Sequence, residues 1–92
     1  MINVTTAISD DQKIIVRMFA ILREAVGKNE VVITLPRGST VKTLKNKILQ
    51  EHPSLNSFNG QFIISVNHEA VSGDTVVSTK DVIAALPPVS GG

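Results

Sequence analysis

The chain has 92 residues, 42% of them hydrophobic and 18% charged, which predicts one globular domain and excludes an intrinsically disordered protein. The net charge of +1 is too small to favour nucleic acid or a membrane surface as a partner, and no apolar run is long enough to span a bilayer. With no cysteine, the sequence excludes a disulfide framework, a thiolate metal site and a catalytic thiol.

Residues 1–12 are polar and include Asp10 and Asp11. They have neither the basic start and apolar core of a secretory signal nor the arginines of a transit peptide. We predict a flexible N-terminal extension over residues 1–12 and a single domain over residues 13–92. A cytoplasmic location is the default expectation for such a sequence.

The first predicted strand, Lys13 to Phe19, is rich in β-branched residues and alternates in character. Ile14, Val16 and Met18 share one face, which is wholly apolar, while Ile15, Arg17 and Phe19 share the other. A short helix, AILREAV, is predicted to follow, with Gly27 as its left-handed cap.

A second strand, EVVITL, is predicted next, with Val31, Ile33 and Leu35 on one face. Pro36 and Gly38 then occupy natural turn positions. The longest predicted helix follows, capped by Ser39 or Thr40 and ended by the residue pair His-Pro, because a residue before proline resists helical angles. Its apolar stripe needs a sheet to pack on and consists of Val41, Leu44, Ile48 and Leu49.

The segment FIISVN is predicted to form a further strand. Phe62, Ile64 and Val66 are expected to face the core, while Ser65 and Asn67 face outward or end the strand. HEAV and SGD are predicted as turns, and VIAAL is the last strand.

This order of elements, with one apolar sheet face, favours helices packed on one side of a sheet only. The chain is too short for the strands and crossover helices of a doubly wound nucleotide-binding fold. We therefore predict an α+β fold in which a mixed sheet packs on one main helix.

Few residues in the sequence suggest an active site. His52 and His68 have no metal-ligand spacing, and a metal site is not expected. Lys42, Lys45 and Lys47 lack interleaved aromatic residues, so they indicate a solvated helix face rather than a nucleic-acid site.

The chain ends in ALPPVSGG, which is its most distinctive segment. Pro87 and Pro88 fix φ and favour an extended chain, so the six residues that they begin can project about 20 Å. Gly91 and Gly92 have no Cβ and can enter a channel too narrow for other residues. The Gly92 α-carboxylate is then the only functional group at the tip, and ATP can activate it by forming an acyl-adenylate.

From about Ile14 onward, the sequence resembles the small subunit of molybdopterin synthase, a family of ubiquitin-like β-grasp sulfur carriers. The segment PPVSGG is the most specific point of resemblance, and STVKTL at the start of the helix and the pair Val66-Asn67 also match. The segment MFAILREAVG matches the family at Phe19, Ala20, Arg23, Glu24 and Gly27.

The resemblance implies that Gly92, next to Gly91, is the reacting end. An adenylyltransferase similar to ubiquitin-activating enzymes would use ATP to adenylate Gly92, and a sulfur donor would convert it to a thiocarboxylate. The tail would then enter the large synthase subunit and give sulfur to cyclic pyranopterin monophosphate. Two small and two large subunits are expected, and the small subunit binds no permanent cofactor and has no activity alone.

The resemblance also implies an apolar docking surface beside the tail. Leu86 stands where an aromatic residue is common, Ala70 is smaller than usual, and the turn Thr79–Asp81 replaces a usual Gly-Asp turn. The expected partner-binding residues are Phe19, Ala70, Leu86, Pro87, Pro88, Val89 and Ser90.

Other functions stay open at this point. The same activated Gly92 would let a ubiquitin-like protein modifier form an isopeptide bond with a lysine. A sulfur carrier for thiamin synthesis or transfer-RNA thiolation would use the same end group. A passive binding module would not need Gly92 at all.

Overall fold

The computed structural model describes residues 11–58 and 61–88. No helix among them is long and apolar enough to cross a membrane. The elements are strand β1 (Asp11–Met18), helix α1 (Ala20–Val26), strand β2 (Glu30–Pro36), helix α2 (Val41–Glu51), a 3-10 helix (Pro53–Phe58) and strands β3 (Ile63–Val66), β4 (Glu69–Ala70) and β5 (Ile83–Leu86).

The five strands form one sheet in the order β2-β1-β5-β3-β4. Strand β1 pairs parallel with β5 at the centre, whereas the β1–β2, β3–β5 and β3–β4 pairs are antiparallel. Both helices supply buried side chains to the core on one side of this mixed sheet. The arrangement confirms the predicted α+β, β-grasp fold.

The core forms where the apolar faces of β1, β2 and α2 meet. The burial pattern of β1 and β2 alternates strictly between exposed and buried residues, as predicted from the sequence. The stripe of α2 is buried as well, except that Leu49 is half-buried. The buried residues of the first two strands include Ile14, Val16, Met18, Val31, Ile33 and Leu35.

The predicted helix caps are present, and of the two candidates for the start of α2, Thr40 is the cap. Thr40 caps α2, because its Oγ1 accepts a hydrogen bond from the Thr43 N–H at 3.4 Å. Ser39 instead donates to the Pro36 carbonyl at 2.6 Å, which holds the preceding turn. Gly27 ends α1 with a φ of 82°, and its N–H donates to the Arg23 carbonyl.

Strand β1 begins two residues before the boundary predicted at Lys13. Gln12 is 8% exposed, and its Nε2 donates to the Val77 carbonyl at 3.2 Å. Asp11 pairs with Pro36 at the start of the same ladder. These two residues therefore belong to the domain, and residues 1–10 lie outside the described residues.

One prediction for the second half of the chain was wrong, and the burial of one residue was unexpected. Ser65 faces away from the core, as predicted, but it is only 8% exposed because it lies between Ala84 of β5 and Ala70 of β4. HEAV was predicted to be a turn, but only His68 lies in the turn, because Glu69 and Ala70 pair back with Val66 and Ser65 to form β4. The 3-10 helix after α2, whose Leu55 is buried, had no counterpart in the prediction.

Candidate functional site

The tail begins at the end of an interior strand. Strand β5 lies between β1 and β3, and Leu86, its last residue, pairs with Ile63. Pro87 is half-buried and Pro88 is exposed. The root of the tail is thus fixed by two neighbouring strands. The predicted reacting and binding residues Val89, Ser90, Gly91 and Gly92 lie outside the described residues.

Three predicted docking residues that are far apart in sequence meet beside this root. Phe19, Ala70 and Leu86 line one groove of about 300 Å³ on the sheet face opposite the core. Ser65 and Ala84 line it as well. Because Ser65 pairs with Ala84 on one side and Ala70 on the other, three small side chains lie side by side in the groove.

Phe19 is placed at the groove by the junction between β1 and α1. Its N–H donates to the Ala85 carbonyl at 3.2 Å, which extends the β1–β5 ladder by one residue. Its carbonyl accepts from the Leu22 N–H at 3.1 Å and so begins the helix. Ala20 makes the change of direction with a φ of 52°, in the left-handed region. The Phe19 side chain stays 37% exposed.

Ala70 lies on the short edge strand and is exposed. In the structure its small side chain lines the groove with Ser65 and Ala84, so a larger residue here would fill part of the space beside Leu86. Its size therefore determines the shape of the groove.

Besides Ser65 and Ala84, three further groove residues were not predicted as part of the site: Arg17, His68 and Val82. The Arg17 guanidinium carbon lies 5.7 Å from the centre of the Phe19 ring, a cation–π arrangement. The alternation of β1 had placed Arg17 and Phe19 on one face, which was a usable signal. His68 and Val82 carried no such signal, because their places depend on a turn and on β5.

The turn at Thr79–Asp81 does not need the glycine that is common there. Neither Thr79 nor Lys80 has a positive φ. The Asp81 carboxylate closes the turn, accepting from the Ser78 N–H at 2.9 Å and from Asn67 Nδ2 at 3.0 Å. Hydrogen bonds from a side chain thus replace the conformational freedom of glycine at this turn.

The remaining polar candidates do not gather into a second site. Within residues 11–58 and 61–88, no three His, Asp or Glu side chains are arranged to hold a metal ion. On α2, Lys47 pairs with Glu51 at 3.7 Å, and the Lys45 ammonium lies 4.9 Å from the centre of the Phe62 ring. Burial lowers the pKa of Lys45 below its usual value of 10.5.

The sequence is similar to known proteins over most of its length. The ThiS family matches residues 16–92. A protein of Arabidopsis thaliana named molybdopterin synthase sulfur carrier subunit is 32% identical over 93 aligned positions, which cover 98% of this chain and 97% of that protein.

Solved structures share the fold over most of the chain. The crystal structure of SAMP1 from Haloferax volcanii has a TM-score of 0.75 at 27% identity, covering 88% of this chain and all of that one. A complex of subunits 1 and 2 of the molybdopterin-converting factor from Helicobacter pylori matches with a TM-score of 0.60 at 29% identity, covering 88% of this chain and 100% of the matched chain. With its fold, its tail sequence and the match over residues 16–92, this chain belongs to the ThiS family.

Proposed function

We propose that the chain is the sulfur-carrier subunit of a molybdopterin synthase. Relatives with that name from three organisms are 32%, 36% and 35% identical to it. The Helicobacter pylori relative is a complex of two subunits of molybdopterin-converting factor, which supports a larger subunit as the partner of this chain. We expect two copies of each subunit in the assembly.

One observation carries the proposal. Phe19 follows the end of β1, Ala70 and Leu86 come from β4 and β5, and the three meet in one groove on the open sheet face. The tail leaves the domain directly from Leu86, through Pro87 and Pro88. A partner that covers this groove would receive the tail at the same time. The domain thus serves to deliver a C-terminus rather than to catalyse a reaction.

The chemistry takes place at Gly92. A carboxylate oxygen of Gly92 attacks the α-phosphorus of ATP in the activating enzyme, giving an acyl-adenylate and pyrophosphate. Sulfide supplied by a donor then attacks the acyl carbon and displaces AMP, which leaves a thiocarboxylate. When the sulfur bonds to cyclic pyranopterin monophosphate, water hydrolyses the acyl–sulfur bond, and Gly92 is a carboxylate again. Catalytic groups come from the partners, so the chain alone is inactive.

A protein-modifier function is the second candidate. A second crystal structure, of the Haloferax volcanii small archaeal modifier protein 1, matches this chain with a TM-score of 0.73 at 25% identity. In that case a lysine amine, instead of a sulfur nucleophile, would displace AMP from Gly92. The product would be an isopeptide conjugate of higher mass. The two functions therefore differ in the fate of the same acyl-adenylate.

Intact-mass analysis separates these functions. The chain is incubated with a ubiquitin-activating-enzyme-like adenylyltransferase, ATP and a sulfur source, and is then treated with a thiol-alkylating reagent. Because the chain has no cysteine, a single adduct on its C-terminal peptide identifies a thiocarboxylate. The control is a chain that lacks Gly92.

The expected result is one adduct on the full chain and none on the shortened chain. An unlabelled chain, under conditions that label a known sulfur carrier, would argue against sulfur carriage. Conjugates on lysines of other proteins would instead favour the modifier function. A chain with one bulky residue added after Gly92, and shown to be untrimmed, is expected not to support molybdopterin synthesis.

A further inference from the structure

Arg17 lies at the boundary between the groove and the rest of the open sheet face. In the register of the sheet it is opposite Ala84 of β5 on one side and Glu30 of β2 on the other. Its guanidinium group is next to the Phe19 ring, at 5.7 Å from the ring centre. The charge of Arg17 is therefore held beside the apolar docking surface instead of pointing away from it.

Arg17 has no acidic partner within the described part of the chain. The ion pair found there joins Lys47 and Glu51, so Glu30 does not form one with Arg17 despite lying opposite. Asp81, the acid close to the Val82 end of the groove, already accepts hydrogen bonds from Asn67 and Ser78. Arg17 and His68 are the titratable groups that line the groove, and no carboxylate among the described residues does so.

A partner that covers the groove removes water from this guanidinium group. A charge that loses its water without gaining an opposite charge and hydrogen bonds is strongly unfavourable. Docking by a purely apolar segment would therefore be penalised at Arg17. A carboxylate satisfies the site well, because the planar guanidinium can donate two parallel hydrogen bonds to it.

We propose that Arg17 is a specificity-determining residue of the groove, and that it pairs with a carboxylate on the large synthase subunit next to an apolar side chain that packs on Phe19 and Leu86. The inference rests on the proposed function, because it takes the large subunit as the occupant. It adds which side chains the large subunit is expected to bring to the groove: an apolar residue and a neighbouring acidic residue. A partner that lacks the carboxylate would be rejected.

The test is the affinity of the full chain for the large synthase subunit of the same organism, measured by titration calorimetry. Arg17→Gln removes the charge and is expected to weaken binding about 10- to 100-fold, since truncating one member of a buried charge pair mainly affects dissociation. Arg17→Lys keeps the charge without the planar fork and is expected to recover part of the affinity.

Lys13→Glu is the matched control for Arg17→Glu. Lys13 is on the same strand and the same face, and the change in net charge is identical, but Lys13 does not line the groove. Arg17→Glu is expected to weaken binding more than Arg17→Gln does, whereas Lys13→Glu changes affinity less than about 3-fold, as for a distant solvent-exposed charge. Thermal unfolding of each variant shows that the fold is intact.

Several results would overturn the inference. Equal losses for Arg17→Glu and Lys13→Glu would indicate long-range attraction only, and unchanged affinity for Arg17→Gln would show that no carboxylate pairs there. Arg17→Met keeps an apolar stem over Phe19, so wild-type affinity in that variant would assign the contact to the stem alone. If the wild-type chain itself fails to bind the large subunit, both this inference and the proposed function fail. If the wild-type chain binds the large subunit and Arg17→Gln binds it equally well, only the inference about Arg17 fails.

Discussion

Asn67 acts as a strand neighbour for Val82. Its backbone N–H donates to the Val82 carbonyl at 2.7 Å, and its side-chain Oδ1 accepts from the Val82 N–H at 2.9 Å. The side-chain Nδ2 also donates to Asp81 at 3.0 Å. A single residue in the β3–β4 turn therefore fixes the start of β5, and β5 leads to the tail at its other end.

Asn67→Gly is expected to lower the free energy of unfolding by about 1–2 kcal/mol, because it removes the side-chain hydrogen bonds to Val82 and Asp81. Asn67→Ala is expected to cost about 1 kcal/mol more, since Asn67 has a φ of 54° and alanine tolerates that region less well than glycine. Urea unfolding of the two variants measures both the loss of the side-chain hydrogen bonds and the cost of the positive φ. Equal stabilities of the glycine and alanine variants would contradict the backbone part of the argument.

A second prediction concerns Ala20, whose φ of 52° is unusual for a residue with a Cβ. Ala20→Gly is expected to raise the free energy of unfolding by about 0.5–1 kcal/mol, because relief of strain exceeds the extra flexibility of the unfolded chain. Ala25→Gly, in the same helix, should lower it by about 1 kcal/mol. Chemical denaturation compares them directly, and a loss of stability in both variants would show that Ala20 is not strained.

Two valines on the paired strands β1 and β2 test the assignment of the sheet faces. Val16 is fully buried at 0% exposure and Val32 is 54% exposed, although they lie on adjacent strands. Valine and threonine have nearly the same shape, so Val16→Thr is expected to cost about 1–3 kcal/mol by burying a hydroxyl group. Val32→Thr should change stability by less than about 0.5 kcal/mol. If thermal unfolding shows similar losses of stability for Val16→Thr and Val32→Thr, both faces of the sheet would have to be buried.

Lys45 gives the chain a predicted pH dependence. Burial lowers its pKa below the usual 10.5, so between the folded and the unfolded value the unfolded chain binds more protons. The contribution of Lys45 to stability is therefore least favourable below its folded pKa, and it improves as the pH rises toward 10.5. The Phe62 ring, 4.9 Å away, attracts the ammonium and opposes this effect without reversing it.

Lys45→Met should consequently stabilise the fold most at neutral pH, with an advantage that shrinks as the pH approaches 10.5. Lys42→Met, an exposed change on the same helix, controls for the loss of one positive charge. The measurement is urea unfolding of each variant across that pH range. An advantage of Lys45→Met that stays constant with pH would show that burial of the charge is unimportant.

Regular elements could be predicted because their periodicity is local. The alternation of β1 and β2 and the stripe of α2 fixed which side chains enter the core. Strand β4 was missed because it has two residues and depends on a turn in which Asn67 and His68 both have positive φ without a glycine. The burial of Ser65 depends on β4 and β5, which both follow it in the chain, so it could not be inferred from the local pattern of β3.

The groove was predictable only in part for a similar reason. Phe19, Ala70 and Leu86 came from the resemblance to a family, and the structure brings them together. Arg17 was placed on the correct face by alternation, yet its lack of an acidic partner within the described residues becomes visible only in the assembled sheet. Pattern shows which face a side chain occupies, whereas its neighbours across the sheet decide what it can bind.

The two prolines at the root of the tail lead to the last prediction. Pro87 and Pro88 restrict φ, so under the proposed function less conformational freedom would be lost when the tail binds the large subunit. Replacing both with glycine is expected to cost about 1–2 kcal/mol, seen as about a 10-fold rise in the apparent KM for the thiocarboxylated chain in sulfur transfer. The rate at saturation should change less, because Gly92 is untouched.

Pro88→Gly alone is the graded control and should give an intermediate KM, since Pro88 is exposed and makes its contribution through backbone restriction. Intact mass must first show equal thiocarboxylate on every variant, so that activation and delivery are measured separately. Should the double-glycine variant transfer sulfur with an unchanged KM, the rigidity of the root would have no part in delivery. The groove, and not the proline pair, would then be what directs Gly92 to its partner.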